Sequence, residues 1–285
     1  MILGDWGTSR LRLFRADGQG GWERREGPGI GALKAPAADA LREALGDWAG
    51  TAPVRLAGMV GARGALHEVP YVDCPADRAA WAAGAARLML AGQPLTIAAG
   101  LAMPPGAAPD VMRGEETQIF GALALDPALA HGRQLIVHPG THSKWAWLED
   151  GVVRAFRTFF TGELYALLLQ STLTRLPGAA SGEAEGFAAG LDRARDRDLL
   201  GALFAARAAQ LREGRTPGWA KGYLSGLLIG HELAAAGDGA AVTLIGAPGL
   251  TDAYARACDH QGRAHRTLDG DACVIAGLEL LEDMP

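Results

Sequence analysis

Two short glycine–threonine turns are the segments of this sequence best suited to chemistry. Gly7-Thr8-Ser9 and Gly140-Thr141-His142 each lie between two predicted strands. A tight turn directs backbone amides into one concavity, glycine lets an anion approach the backbone, and a hydroxyl adds a donor. The pair therefore predicts a polyphosphate site, whereas either turn alone would also fit an ordinary hairpin.

Acidic residues lie beside the first turn and at the start of a predicted helix. Asp5 ends the first strand, where a carboxylate could hold Mg²⁺ directly or through water. The alternative for Asp5 is a hydrogen bond to its own turn. Glu115 and Glu116 begin the helix predicted over 115–125, where one of them could act as the general base for a sugar hydroxyl. Acids at a helix start also complement the helix dipole, so that alternative stays open.

Two further glycine-rich segments have different interpretations. Gly246-Ala247-Pro248-Gly249 follows an apolar run that predicts a buried strand, and it adds a third turn suited to a nucleotide. The run from Gly27 to Gly31 follows four charged residues rather than a buried strand, so we predict a surface loop and not a dinucleotide loop. No Walker-type P-loop is present in the sequence.

An internal repeat indicates how the turns are positioned. Gly7, Thr8, Asp17 and Gly18 each recur as the same residue type 133 positions later. Strand, Gly–Thr turn, strand and Asp–Gly turn therefore recur in one register, which predicts a duplicated two-domain design. We place an N-terminal α/β domain at residues 1–132 and a C-terminal α/β domain at 133–285. A return of the last helix to the first domain is left open.

The rest of the chain alternates predicted strands and helices. Apolar runs predict strands at 54–58, 95–99 and 242–246, and an alanine-rich stretch predicts a helix over 76–91. Further helices are predicted over 163–173, 183–193, 199–212, 223–236, 251–258 and 271–281.

Composition excludes several classes of function. The 285 residues carry a net charge of −5, so a basic surface for nucleic acid is not expected. No apolar run reaches the ~20 residues that cross a bilayer, and the first residues do not resemble a signal peptide. Three widely spaced cysteines exclude a disulfide framework and a cysteine zinc site. We therefore expect a cytoplasmic protein without nucleic-acid or membrane partners, and a homo-oligomer is left open.

Longer strings of residues carry a resemblance to a known family. The strings are Asp5-Trp6-Gly7-Thr8, Gly58-Met59-Val60-Gly61, Pro70-Tyr71-Val72-Asp73-Cys74-Pro75, Asp110-Val111-Met112-Arg113-Gly114-Glu115-Glu116-Thr117-Gln118, Pro139-Gly140-Thr141-His142-Ser143-Lys144 and Phe160-Thr161-Gly162-Glu163-Leu164. Together they resemble the 2-dehydro-3-deoxygalactonokinase family, within the actin–hexokinase–heat-shock-chaperone superfamily.

The resemblance implies both a fold and a reaction. The fold is α/β, with two actin/hexokinase-like (ribonuclease H-like) domains and a nucleotide cleft between them. The reaction is ATP-dependent phosphorylation of the terminal (6-) hydroxyl of 2-dehydro-3-deoxy-D-galactonate in galactonate breakdown. ATP, Mg²⁺ and a small sugar acid are the implied ligands.

The resemblance also implies roles for single residues. Asp5 would organise Mg²⁺, and Glu115 would be the base with Glu116 in reserve. The implied nucleotide contacts are Gly7, Thr8, Ser9, Gly140, Thr141, His142, Gly246 and Gly249. The implied substrate contacts are Arg63, Arg113, Lys144 and Glu163. Lys144 could face either ligand. Arg63 would equally fit a solvated loop, Glu163 a helix start, and His142 a bond to its local backbone.

One loop departs from the family pattern. The run from Ala62 to Leu66 stands where the family is expected to carry a Ser-Arg-Gln-Gly-Trp-like run. A kinase of the same fold acting on another keto-deoxy sugar acid or an amino sugar is therefore one alternative. A non-catalytic nucleotide-binding sensor is another, although Asp5 and Glu115 would have no use in it.

Overall fold

The chain divides into two compact units, neither of which is continuous in sequence. A computed structural model describes residues 1–174, 178–237 and 239–281. Unit 1 contains Met1–Ile136, Ala146–Arg157 and the segment from Leu268 onward, and unit 2 contains Val137–Trp145 and Thr158–Thr267. The domains 1–132 and 133–285 stay a prediction, and residues 282–285 lie outside the described ranges.

Strands and helices alternate along most of the described chain. The strands are β1 (Ile2–Trp6), β2 (Arg10–Ala16), β3 (Trp22–Pro28), β4 (Val54–Gly58), β5 (Val72–Asp73), β6 (Ala86–Leu90), β7 (Gln93–Ile97), β8 (Leu101–Ala102), β9 (Val111–Met112), β10 (Arg133–His138), β11 (Ser143–Glu149), β12 (Val152–Phe159), β13 (Val242–Gly246) and β14 (His265–Asp269). The α-helices are α1 (Ala37–Leu45), α2 (Arg78–Ala83), α3 (Glu115–Leu125), α4 (Thr161–Leu169), α5 (Glu183–Arg193), α6 (Leu199–Glu213), α7 (Pro217–Ala235), α8 (Pro248–His260) and α9 (Gly270–Glu279).

The first sheet has the strand order β3-β2-β1-β4-β7-β6. β1, β2 and β3 form an antiparallel meander, β4 and β7 continue it in parallel from β1, and β6 pairs antiparallel with β7. β1 is central, and its apolar residues Ile2, Leu3 and Trp6 are fully buried. β2 alternates, with Leu11 and Leu13 in the core, as its period of two predicts.

The second sheet repeats this order of strands. Its order is β12-β11-β10-β13-β14, in which a meander is again followed by a later strand next to its first strand. β11 begins and ends 133 residues after β2, so the repeat in the sequence reappears as a repeat of strands. β5, β8 and β9 form a separate small sheet.

The helix predicted over 76–91 is wrong in its second half. α2 ends at Ala83, and residues 86–90 form β6, an edge strand paired with β7. Alanine favours helices when nothing else competes. Here cross-strand pairing outweighs that local preference, as it commonly does at a sheet.

The charged segment after the first hairpin is also a strand. β3 runs along the edge of the first sheet beside β2, and Arg15 Nη2 lies 2.7 Å from Glu23 Oε2 across the pair. Its side chains are mostly exposed. Charged residues are typical of edge strands because they oppose pairing with other chains, and the lack of an apolar face hid the strand from sequence analysis.

Glycines let two helices of unit 1 touch along their backbones. A Cβ at Gly121 of α3 would lie 1.8 Å from the carbonyl oxygen of Cys273 of α9. A Cβ at Gly277 of α9 would lie 2.0 Å from the carbonyl oxygen of Thr117. The backbone of α3, which begins with Glu115, is therefore fixed directly by α9.

No helix in the described ranges is long and apolar enough to cross a membrane.

Candidate active site

Asp5 is held at the end of β1 by an ion pair. Its Oδ2 pairs with Arg12, which lies opposite on β2, and Arg12 also pairs with Asp271 at the start of α9. Arg24 Nη1 lies 2.7 Å from Asp271 Oδ2 and extends the network. The other oxygen, Asp5 Oδ1, lies 3.1 Å from the position that a Cβ at Gly58 would occupy. Arg12 thus fixes one carboxylate oxygen while the other faces glycine.

The first Gly–Thr turn rests on the glycine run that the sequence predicted to be a surface loop. Gly31 N donates to Thr8 O at 2.9 Å, and a Cβ at Gly29 would lie 2.3 Å from that same oxygen. Gly29 is buried, so the surface-loop prediction is wrong for this residue. The run is packed against the turn and supports it.

The tip of this turn keeps its donors available. Thr8 and Ser9 are exposed. Within the described ranges, neither their amides nor their hydroxyls donate to another group. Gly7 is partly buried and closes the turn through a bond from its amide to Arg10 O at 2.9 Å.

The two glutamates at the start of α3 have different surroundings. Glu116 is fully buried and accepts bonds from the Gly114 amide at 2.7 and 2.9 Å and from Thr117 Oγ1 at 3.1 Å. Burial, and then the charge of Glu115, raise the pKa of Glu116 to about 8. Glu115 is partly exposed, and its Oε2 accepts a bond from the Arg113 amide at 3.1 Å. Glu115 is therefore the acid of the pair that a ligand can reach.

Backbone geometry brings the start of α3 to Asp5. Gly114 has φ +112° and Gly58 has φ +92°, a region that favours glycine. A Cβ at Gly114 would lie 3.3 Å from the Cα of Gly58 and 4.0 Å from Asp5 Oδ1. Glycine at both positions therefore permits the close approach of β1, β4 and α3.

Arg113 is packed beside this cluster, and some of its N–H donors have no acceptor among the described residues. Its Nη2 donates to Val69 O at 2.7 Å, and its guanidinium lies 4.2 Å above the ring of Tyr71. Nε and Nη1 are buried without a hydrogen-bond partner among the described residues. Such unmade bonds cost about 1–3 kcal/mol each. Arg63 is exposed, and no acid of the described ranges pairs with it.

The second Gly–Thr turn is packed against the start of α4. Glu163 N donates to Thr141 O at 2.9 Å, and a Cβ at Gly162 would lie 2.3 Å from Gly140 O. His142 Nε2 lies 2.6 Å from Glu163 Oε2. The His142 ring also stacks on Phe160, with centroids 5.4 Å apart and planes 19° apart. In this structure the carboxylate of Glu163 therefore contacts the His142 ring.

The third glycine turn lies beside the second. Gly246, with φ +157°, ends β13, and a Cβ there would lie 3.7 Å from Pro139 O. Gly249 has no atom within 4 Å of its Cβ position among the described residues. Unit 2 thus places both of its predicted nucleotide segments together, with open space at Gly249.

Lys144 and His138 are a buried pair next to the second turn. Both are 5% exposed or less. Burial, and then the charge of Lys144, lower the pKa of His138 to about 3. His138 is therefore neutral. In the 133-residue repeat it occupies the position that corresponds to Asp5.

Glu232 is the functional candidate that sequence reasoning missed. It lies on α7, and its carboxylate accepts bonds from Ser143, Trp145, Thr161 and Tyr254. Burial raises its pKa, and the four donors oppose that rise. The one signal in the sequence was an acid inside a long apolar helix.

The structure groups the predicted residues into two sets. Unit 1 holds Asp5, the turn from Gly7 to Ser9, Arg63, Arg113, Glu115 and Glu116. Unit 2 holds the turn from Gly140 to His142, Lys144, Glu163, Gly246 and Gly249.

The carboxylate of Asp5 is of the kind that Mg²⁺ prefers. The described residues contain no group of three or more His, Cys, Asp or Glu side chains arranged for a metal ion. Mg²⁺ does not require such a group, since it usually keeps several waters and is held by one or two carboxylates with substrate phosphates. Asp5 Oδ1, the oxygen that does not face Arg12, fits that requirement.

Comparison with known proteins decides the family. A profile of the 2-keto-3-deoxy-galactonokinase family matches residues 5–281. The chain belongs to this family. It is therefore an enzyme of the kinase class, and the prediction from the sequence motifs is confirmed.

Curated relatives in this family match over the same length. A protein of Rhizobium meliloti (strain 1021), named as a probable 2-dehydro-3-deoxygalactonokinase, is 39% identical over 96% of this chain and 94% of its own. The 2-dehydro-3-deoxygalactonokinase of Escherichia coli (strain K12) is 35% identical with the same coverage of each chain.

A solved structure extends the likeness from sequence to fold. A protein from Sinorhizobium meliloti, assigned as a 2-dehydro-3-deoxygalactonokinase, superposes with a TM-score of 0.85 and 35% identity. The match covers 98% of this chain and 96% of that one. Together with the repeated strand order, this likeness confirms the predicted actin/hexokinase-like fold of the family.

Proposed function

We propose that this galactonokinase-family enzyme transfers the γ-phosphoryl group of ATP to the terminal (6-) hydroxyl of 2-dehydro-3-deoxy-D-galactonate. The observation that carries the proposal is the family match over residues 5–281, which spans every predicted site residue. The close approach of Asp5 and the start of α3 supports the assignment of roles within that reaction.

Glu115 is the proposed general base. It begins α3 beside Asp5 and is partly exposed, whereas Glu116 is fully buried. As the sugar hydroxyl oxygen bonds to the γ-phosphorus, its proton passes to Glu115 and the bond to ADP breaks. Glu116 then serves as a buried acceptor for the Gly114 amide, which fixes the backbone at Glu115.

The two Gly–Thr turns are the proposed donors to the nucleotide phosphates. Thr8 and Ser9 in the first turn, and Thr141 and His142 in the second, are exposed. Amides and hydroxyls that no protein group uses are suited to bind phosphate oxygens without a net basic surface. Gly246 and Gly249 are the proposed contacts to adenosine, where the lack of a side chain leaves room.

Asp5 is the proposed ligand of Mg²⁺ or of its waters. Arg12 holds Oδ2, so Oδ1 keeps a fixed direction toward Gly58 and Gly114. When bound, the ion would neutralise charge on the transferring phosphoryl group.

Arg113 is the proposed partner of the sugar-acid carboxylate. Arg113 is partly exposed, its Nε and Nη1 have no hydrogen-bond partner among the described residues, and a carboxylate accepts paired bonds from one guanidinium. Arg63 is exposed two residues after Gly61, which packs against Arg113 Nη1, and is proposed as a second cation for the same group. Sugar contacts of Lys144 and Glu163 stay predictions, and the bond to His142 engages one oxygen of Glu163.

The experiment that tests this function is coupled ADP production with MgATP and 2-dehydro-3-deoxy-D-galactonate. Parallel reactions contain its gluconate epimer, an amino sugar or no sugar. We expect turnover with the galacto compound and little with the others. Turnover mainly with another compound would favour a kinase for that substrate, and nucleotide binding without any sugar-stimulated turnover would favour a sensor.

A further inference from the structure

A buried carboxylate in unit 2 gathers four donors from three neighbouring elements. Glu232 on α7 is 2% exposed. Ser143 Oγ, at 2.6 Å, and Trp145 Nε1 donate to its Oε1 from β11. Thr161 Oγ1 from α4 and Tyr254 OH from α8, at 2.8 Å, donate to its Oε2. One side chain of α7 therefore ties together β11, α4 and α8.

Two of these donors flank the second Gly–Thr turn. Ser143 follows His142 directly in the chain. Thr161 begins α4, whose next two residues contact the turn through Gly140 O and Thr141 O. The turn is thus anchored at its end and along its side by the same carboxylate.

A third donor belongs to the helix whose first residues are the end of the adenosine segment. Tyr254 lies on α8, which begins at Pro248, two residues after Gly246. Gly246 lies beside Pro139, the residue before the second turn. Glu232 therefore connects the two segments of unit 2 that the proposed function assigns to ATP.

We propose that Glu232 is a positioning residue for the nucleotide, which fixes the second Gly–Thr turn and helix α8 without contacting ATP. This inference rests on the proposed function, because it assigns those two segments to nucleotide binding. The chemistry recognised is that of a nucleoside di- or triphosphate, and the sugar acid is not involved.

A carboxylate performs this task better than an amide of the same shape. Each of its two oxygens accepts two bonds here, and bonds to a charged acceptor are stronger than neutral ones. Glutamine offers one acceptor oxygen and an NH₂ group that donates, so two of the four donors lose their acceptor or must rotate to accept. Glu232→Gln therefore loosens the anchor while keeping the volume of the core.

The first test is steady-state kinetics and ADP binding of Glu232→Gln. We expect the KM for MgATP and the Kd for ADP to rise by about 10-fold, as for loss of one charge-assisted bond, while the KM for the sugar acid changes less than about 2-fold. A merely structural residue would lower the folded fraction and the apparent kcat without moving the KM for ATP.

A matched pair of tyrosine variants provides the control. Tyr254 and Tyr223 both lie in unit 2, both are buried, and each hydroxyl donates one hydrogen bond to a buried acceptor. Tyr223 donates to Ala202 O at 3.1 Å, between α6 and α7. We expect Tyr254→Phe to raise the KM for ATP about 3-fold and Tyr223→Phe to leave it unchanged, although each removes a buried tyrosine hydroxyl that donates a hydrogen bond.

The outcomes separate this inference from the proposed function. Equal KM values for ATP in Glu232→Gln and wild type, or equal rises for ATP and sugar acid, would overturn the positioning role. If the wild type phosphorylates no sugar acid, the proposed function fails, and ADP affinity alone still decides the inference. If Glu232→Gln does not fold, the difference between the two tyrosine variants decides it.

Discussion

Among single residues, the choice of base falls between two adjacent glutamates that differ in exposure. Glu115 is partly exposed at the start of α3, while Glu116 is enclosed and bonded to the Gly114 amide. We expect Glu115→Gln to lower kcat by about 10²-fold or more, the usual contribution of a general base, with ADP affinity retained. Coupled kinetics and ADP titration provide the measurement.

Glu116→Gln is the comparison for this prediction. Because Glu116 has a pKa of about 8, it is largely protonated near neutral pH, and glutamine resembles that neutral form. Activity close to that of the wild type is expected. A larger loss of kcat in Glu116→Gln than in Glu115→Gln would transfer the role of base to Glu116.

The raised pKa of Glu116 also makes folding stability depend on pH. The folded protein keeps a proton that the unfolded chain releases near the ordinary value of 4.5. The resulting stabilisation is complete below about pH 4.5 and is lost as pH rises to about 8, with a slope of up to about 1.4 kcal/mol per pH unit. Urea unfolding of wild type and Glu116→Gln should therefore give free energies that diverge across this range. Parallel pH profiles would show that Glu116 ionises normally.

Residue types with fixed spacing were predictable, whereas partners distant in sequence were not. The Gly–Thr turns and the Glu115–Glu116 pair are contiguous strings. Their residue types alone indicated phosphate binding and proton transfer. Glu232 bonds to Ser143 and Thr161, which lie 89 and 71 residues earlier in the chain. No local pattern links residues so far apart, because only the packing of α7 against β11 and α4 brings them together.

Among the elements, regular periodicity predicted strands well and composition predicted them poorly. The alternation in β2 reflects burial on one face, and β11 contains an apolar run that is mostly buried, so both were found. β3 has no apolar face because it is an edge strand, and β6 is encoded in an alanine-rich run that locally favours helix. Strands with buried apolar side chains were therefore predicted from the sequence, and the two edge strands without them were missed.

The glycine run beneath the first Gly–Thr turn can be tested with two neighbouring substitutions. A Cβ at Gly29 would lie 2.3 Å from Thr8 O, so Gly29→Ala must displace the turn. A Cβ at Gly27 would meet nothing closer than 3.4 Å, so Gly27→Ala should be tolerated. We expect Gly29→Ala to raise the KM for ATP by about 10-fold or more and Gly27→Ala to change it little. Equal KM values in the two variants would mean that the turn does not contact the nucleotide.

For the whole molecule, ligand binding and stability are linked. A nucleotide at 100 times its Kd stabilises the folded state by about 2.7 kcal/mol, which raises the temperature of unfolding. If Asp5 holds Mg²⁺, the ion should add to the effect of ADP in wild type, and EDTA should remove the addition. Thermal unfolding with ADP, with and without Mg²⁺, measures it.

Asp5→Asn should respond to ADP without the additional effect of Mg²⁺. Asp17→Asn is the matched control, since Asp17 is exposed, lies in the turn after β2, and its carboxylate accepts bonds from the nearby amides of Gln19 and Gly21. An unchanged Mg²⁺ effect in Asp5→Asn would remove Asp5 from the metal site.

The place of α9 in unit 1 also sets the order in which a newly synthesised chain can finish folding. β1, β2 and α3 leave the ribosome long before Asp271 is made to hold Arg12, and before Cys273 and Gly277 are made to cover α3. Unit 2 has all its residues once translation passes Thr267, whereas unit 1 still waits for its closing helix. The half of the enzyme that is translated first is therefore completed last.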